Sequence, residues 1–285
     1  MIAISFRHQS DAVFVHTRLN QKLSGKGLLK SVSAAIEKTC IIVIKTTPLI
    51  YKRQVLPCLA KALTECVLEK YEMNWYEQMI EHQFYFKEKE EQREIISLAM
   101  AISARERPDI PETAKIPAGK DLLFNAFYAF LKEECSFSFD SLIRFRLKDY
   151  FLTLKELVGI AIDEYKLEQE YQNFIDHLRH SVQKRHPVKV EINLLYDKYF
   201  LFYDEHFRLL GNNYLKSFID EEIRHFNGFE IDPCVLGPLI GLAPRRICVY
   251  TNEIDLGLLQ TIQNVFQERV EIRKKVDFYN IRTLG

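Results

Sequence analysis

Arg144, Lys148 and Lys155 stand at i, i+4 and i+11, a spacing that puts all three on one face of a helix, with Arg146 among them. Four cations so grouped can hold a phosphate, an acidic partner or a nucleic-acid backbone. The plainer reading is a solvated helix face, with Arg146 paired locally to Asp149. A third reading has Arg144 and Arg146 holding Glu164 across a helix interface. Asp176, His177 and His180 have a spacing that metal sites use, but such a site needs further ligands. His225 beside Glu221 and Glu222 is the obvious supplement, and it does not complete an HExxH pattern. Surface or packing histidines are therefore expected.

Glu164 and Glu168 lie one turn apart, and paired carboxylates can do acid/base work. No nucleophile pattern accompanies them, so a structural ion pair is expected. Thr251, Asn252 and Asp255 follow a strand-like run and precede a helical one. Ligands of open α/β units gather beyond the carboxyl ends of parallel strands. Asn and Asp at such places also serve as turn and N-cap residues. The sequence contains no GxxxxGK[ST], GxGxxG or GxSxG, which argues against a P-loop and a serine-hydrolase elbow. No catalytic residue, cofactor or metal site is expected, and the sequence points away from an enzyme.

The elements that must position these groups can be read from periodicity. Ile2–Phe6, Val32–Ile36 and Cys40–Lys45 read as strands, with a helix over Asp11–Leu23. The β-branched run Cys40-Ile-Ile-Val-Ile44 suits a central strand. Helices are expected from Leu59 to Tyr71, with Pro57 in the first turn, then Trp75–Phe86 and Glu91–Ile102. Residues 103–119, with Pro108, Pro111 and Pro117, read as a linker or loop. Helices follow over Asp121–Lys132 and Ser141–Arg185, the latter with a kink at Gly159. Its stripe Leu167, Tyr171, Phe174, Leu178 and Val182 should be buried. Then come a hairpin of Val188–Leu195 and Tyr199–Asp204, helices over Leu215–Phe226 and Pro233–Leu242, and a βαβ unit of Arg246–Thr251, Asp255–Gln267 and Val270–Arg273. The expected fold class is α+β and helix-rich: a small N-terminal α/β part, a helical middle, and a C-terminal α/β part with a hairpin and a βαβ unit. The divisions fall at 1–102, 103–119, 120–187 and 188–285.

Among 285 residues, 47% are apolar, enough for a sizeable core. Lys+Arg and Asp+Glu are both 39, and this zero net charge disfavours a dedicated nucleic-acid-coating protein. None of the six cysteines forms a CxxC pair, so free thiols in a reducing compartment are expected. No signal-like start or membrane-length apolar run is present, so the expected location is cytoplasmic.

Several segments carry a likeness. They are Arg144-Phe-Arg-Leu-Lys148 with Tyr150, Asp163-Glu-Tyr165, Glu170-Tyr-Gln-Asn-Phe-Ile175, Leu178-Arg179, and Ala243-Pro-Arg-Arg-Ile247 before a short strand and helix. In this order, over residues 139–272, the chain resembles the YtxC-like family of sporulation proteins from Firmicutes. The resemblance implies a role in sporulation but no known activity, cofactor or site residues. The expected function is that of a sporulation-associated, non-catalytic cytoplasmic protein acting through an unidentified protein partner. The alternatives are a nucleic-acid or phospho-ligand binder using the basic helix, and an enzyme with its site at Thr251, Asn252 and Asp255.

Overall fold

The computed structural model describes residues 2–28, 31–132, 135–219, 225–226, 229–253 and 256–284. It shows a helix-rich α+β chain in two compact units, Met1–Lys166 and Leu167–Gly285. The division between them falls inside a long helix.

In the first unit, strands β1 (Ile2–Ser5), β2 (Ser33–Glu37), β3 (Ile41–Lys45) and β4 (Phe137–Ser138) form a sheet of order β2-β3-β1-β4. The β-branched run of β3 is interior, as expected, with Ile42, Val43 and Ile44 buried. Helix α1 (Gln9–Ser24) buries Ala12, Val15, Leu19 and Leu23 at helical spacing. Next comes a helical turn, α2 (Pro48–Ile50), in which Thr47 Oγ1 accepts the Ile50 N–H. A π-turn over Tyr51–Val55 separates it from α3 (Leu56–Lys70).

The π-turn explains how Pro57 is tolerated with helical backbone already before it. The Leu56 N–H reaches back to the Tyr51 carbonyl, and Pro57, having no N–H, forfeits no bond where the ladder changes register. Helices α4 (Glu72–His82), α5 (Lys89–Ser103) and α6 (Gly119–Leu131) follow. The proline-rich stretch at 103–119 carries a 3-10 turn (Pro111–Lys115), flanked by Ile110 and Ile116, which are buried in this unit's core.

The expected single helix over 141–185 is two helices, α7 (Phe139–Arg146) and α8 (Lys148–Lys184). The break is at Leu147 (φ −99°, ψ 23°), not at Gly159. Leu147 carries no Gly or Pro signal; its buried side chain belongs to the core cluster. Gly159 lies inside α8, and a Cβ added there would meet nothing within 4 Å. Gly159→Ala should therefore raise stability by about 0.5–1 kcal/mol through helix propensity. A denaturant titration checks this; a loss of stability would mean that the site demands glycine.

The second unit holds a sheet of order β10-β9-β5-β6, made of β5 (Glu191–Asp197), β6 (Tyr199–Tyr203), β9 (Arg246–Tyr250) and β10 (Val270–Arg273). β5, β9 and β10 run parallel, and β6 closes one edge antiparallel through a tight turn with Lys198 at φ 68°. Ile192, Leu194, Ile247 and Val249 form one core with Phe174, Leu178 and Val182 of α8 and with α10 (Leu236–Leu242) and α11 (Gly257–Phe266). Leu195, Tyr203, Cys248 and Tyr250, whose positions alternate with those, pack with Phe278 of α12 (Lys275–Leu284). The βαβ unit is thus present as expected.

Other expectations fail here. Leu167 is 57% exposed, so the buried stripe of α8 begins later than the pattern suggested. The expected helix over Leu215–Phe226 is not continuous: α9 (Asn212–Lys216) ends at Lys216, residues 220–224 lie outside the described residues, and His225–Phe226 is a strand, β7, paired with β8 (Phe229–Glu230). The sequence between those strands, Asn227-Gly228, is the strongest two-residue hairpin signal.

Candidate functional site

The break at Leu147 changes the basic cluster. Arg144 and Arg146 end α7, while Lys148 and Lys155 belong to α8, so the four do not share one helix. All four are exposed. The Arg144 guanidinium lies 5.8 Å from the Phe145 ring centre, and that of Arg146 lies 5.6 Å from Phe130. Among the described residues no carboxylate pairs with any of the four. Glu164 is instead held by Arg107 at 3.4 Å, and Arg146 stacks rather than pairing with Asp149. Phe145, between the arginines, is 73% exposed.

At the carboxyl ends of the parallel strands, Thr251 and Asn252 are engaged in local structure. The Thr251 hydroxyl accepts the Glu253 N–H (2.9 Å), and its backbone N–H donates to the Arg273 carbonyl. Asn252 Oδ1 accepts the Lys275 N–H (3.3 Å), capping the start of α12. Asp255 lies outside the described residues. On α8, His180 Nδ1 lies 2.8 Å from the Asp176 carbonyl, and Asp176 pairs with Arg179. The described residues hold no cluster of three metal-ligating side chains, and Glu221, Glu222 and the His225 side chain lie outside them.

Of the segments that carry the resemblance, those in the second unit take part in its packing. Arg179 Nε donates to the Asn264 carbonyl (2.8 Å), and the Tyr171 hydroxyl accepts from the Asn264 side chain (3.0 Å). Two residues from α8 therefore grip one residue of α11. In Ala243-Pro-Arg-Arg-Ile247, Ala243 ends α10 in the left-handed region (φ 43°), and the backbone N–H groups of Arg245 and Arg246 both donate to the Val190 carbonyl. The Arg246 side chain bridges Glu191 of β5 (3.4 Å) and Glu271 of β10 (2.6 Å), spanning three strands.

The ionisable groups are tuned toward structure. Hydrogen bonds from Arg273 and then Arg246 hold the Glu271 carboxyl down at about 2. Burial pushes the Cys66 thiol up to about 12 and the Cys248 thiol above its ordinary value, so both stay protonated and inert. Burial likewise raises Glu72, whose carboxylate accepts from the Tyr150 hydroxyl. Asp11, 5% exposed, accepts from the Tyr71 hydroxyl and pairs with Lys70 at 3.2 Å. The six cysteines are free.

One feature no motif announced is a groove of about 510 Å³ lined by α4, α5 and the residues just after. Met73, Ile96, Met100 and Ala104 line it, with Glu77 and Arg93 beside them. Met73 is 48% and Met100 44% exposed. Within the described residues, Glu77, Arg93 and the nearby Glu106 have no ion-pair partner. The sequence signal was faint: two methionines on the outer sides of helices whose other faces form the core.

No described helix is long and apolar enough to cross a membrane. The YtxC-like family model matches residues 57–271. The "Uncharacterized protein YtxC" of Bacillus subtilis (strain 168) is 33% identical over 216 residues, covering 76% of this chain and 75% of that protein. No solved structure matches.

Proposed function

Because this chain belongs to the YtxC-like family, we propose that it serves sporulation in the cytoplasm as a non-catalytic protein, through contact with a partner protein. The observation that carries this reading is the methionine-lined groove. Exposed methionines are flexible and polarizable, and they suit surfaces that receive another chain. The partner we have in mind presents an amphipathic helix, its apolar side chains against Met73, Ile96 and Met100 and a basic residue near Glu77 and Glu106. Partner binding of this kind asks nothing of the inert thiols and paired carboxylates.

The test is Met100→Glu. Met100 is substantially exposed, so the variant should melt within about 0.5 kcal/mol of the wild type. A spore-forming strain of the source organism carrying only the variant should form spores as poorly as one lacking the chain. Normal spore yield from the Met100→Glu strain would overturn the groove as the working surface.

A further inference from the structure

We infer that Arg144, Phe145, Arg146 and Lys148 form a contact site for single-stranded nucleic acid, independent of the groove. Phe145 is 73% exposed and has an arginine on each side in the sequence. Neither guanidinium is neutralised: Arg144 lies over Phe145, Arg146 over Phe130, and no described carboxylate reaches either. Lys148, exposed at the start of α8, adds a third cation just beyond the Leu147 break.

A ring open to solvent offers a stacking platform for an unpaired base, and the flanking cations meet the phosphates on either side of it. A duplex keeps its bases stacked inside and has no use for the ring. An anionic bilayer fits less well. A membrane is a plane, so it would also press on the neighbouring carboxylates Asp140 and Asp149, whereas a strand can follow one short row of side chains. The footprint is local, so it is compatible with a chain of zero net charge.

The experiment is fluorescence anisotropy of a labelled oligothymidylate titrated with the full chain, at about 50 and about 200 mM salt. The wild type should bind, with log affinity falling against log salt at a slope of roughly −2, about 0.7 for each of three phosphates. Phe145→Ala should weaken binding by about tenfold or more, and Phe145→Trp should retain it. Arg144→Glu with Lys148→Glu should abolish it while the thermal melt is preserved, since these side chains are exposed. Four results would each overturn the inference: no binding at low salt, binding that survives both the Phe145→Ala and the charge-reversed variants, equal binding of duplex, or capture by phosphatidylglycerol vesicles without capture of the oligonucleotide.

Discussion

Replacing Phe278 by alanine should lower the stability of the second unit by about 3–5 kcal/mol. The ring is fully buried and is the member of α12 that enters the core cluster of the sheet's second face. It sits 4.8 Å from Tyr203, 5.2 Å from Tyr250 and 5.4 Å from Phe207, ring centre to ring centre. Each such pair adds to the burial itself. Contacts that do not involve this ring include the Asn252 cap and the Lys275–Asp197 pair at 2.7 Å, both at the first turn of the helix, and Arg282 over the Tyr203 ring at 5.7 Å. Urea unfolding followed by circular dichroism gives the number. A loss below about 1 kcal/mol would mean that α12 docks without this ring, contrary to the packing described.

The second large effect is expected at Gly241. A Cβ there would lie 2.2 Å from the Phe218 carbonyl oxygen and 2.8 Å from its carbonyl carbon. The obstruction is backbone, so no rotamer change relieves it; either α10 or the segment after α9 must move. Gly241→Ala should cost about 3 kcal/mol or more, at the upper end for overpacking. Gly159→Ala is the natural control, the same added methyl in an open helical position. Should the two variants melt alike, the close approach at Gly241 would be wrong.

The fold was legible wherever one periodicity ruled. Ile41–Ile44 announced an interior strand by β-branching, and the C-terminal βαβ unit by strand-length apolar runs around one helix. Legibility failed where tertiary packing set the outcome. Leu147 breaks a helix that its own residue type would continue, and Leu167 opens an apolar stripe before the point where its residues become buried. The helix α12 carries no legible stripe, because Phe278 is its one side chain in the buried core among the described residues, and one residue has no period.

At the candidate sites, charge was visible and pairing was not. The sequence shows Arg144 and Arg246 as equals, yet among the described residues one has no carboxylate partner beside an exposed ring and the other spans three strands. The groove was hardest to see because it lies on the outer sides of α4 and α5, where periodicity predicts solvent.

The parallel seam between β5 and β9 also sets an order of assembly. The hairpin β5–β6 closes over a few residues, and β9 meets β10 across about one helix, with Arg246 and Glu271 only 25 residues apart. Arg246 and Glu191, across the seam, are 55 apart. Loop closure favours the near pairings, so the hairpin and the βαβ unit should form as separate nuclei and zip together last. During synthesis the hairpin would leave the ribosome with the β5 edge that later receives β9 still open. For that interval an interior strand of the finished sheet is an exposed edge, the kind of surface on which chains of the same sequence pair wrongly.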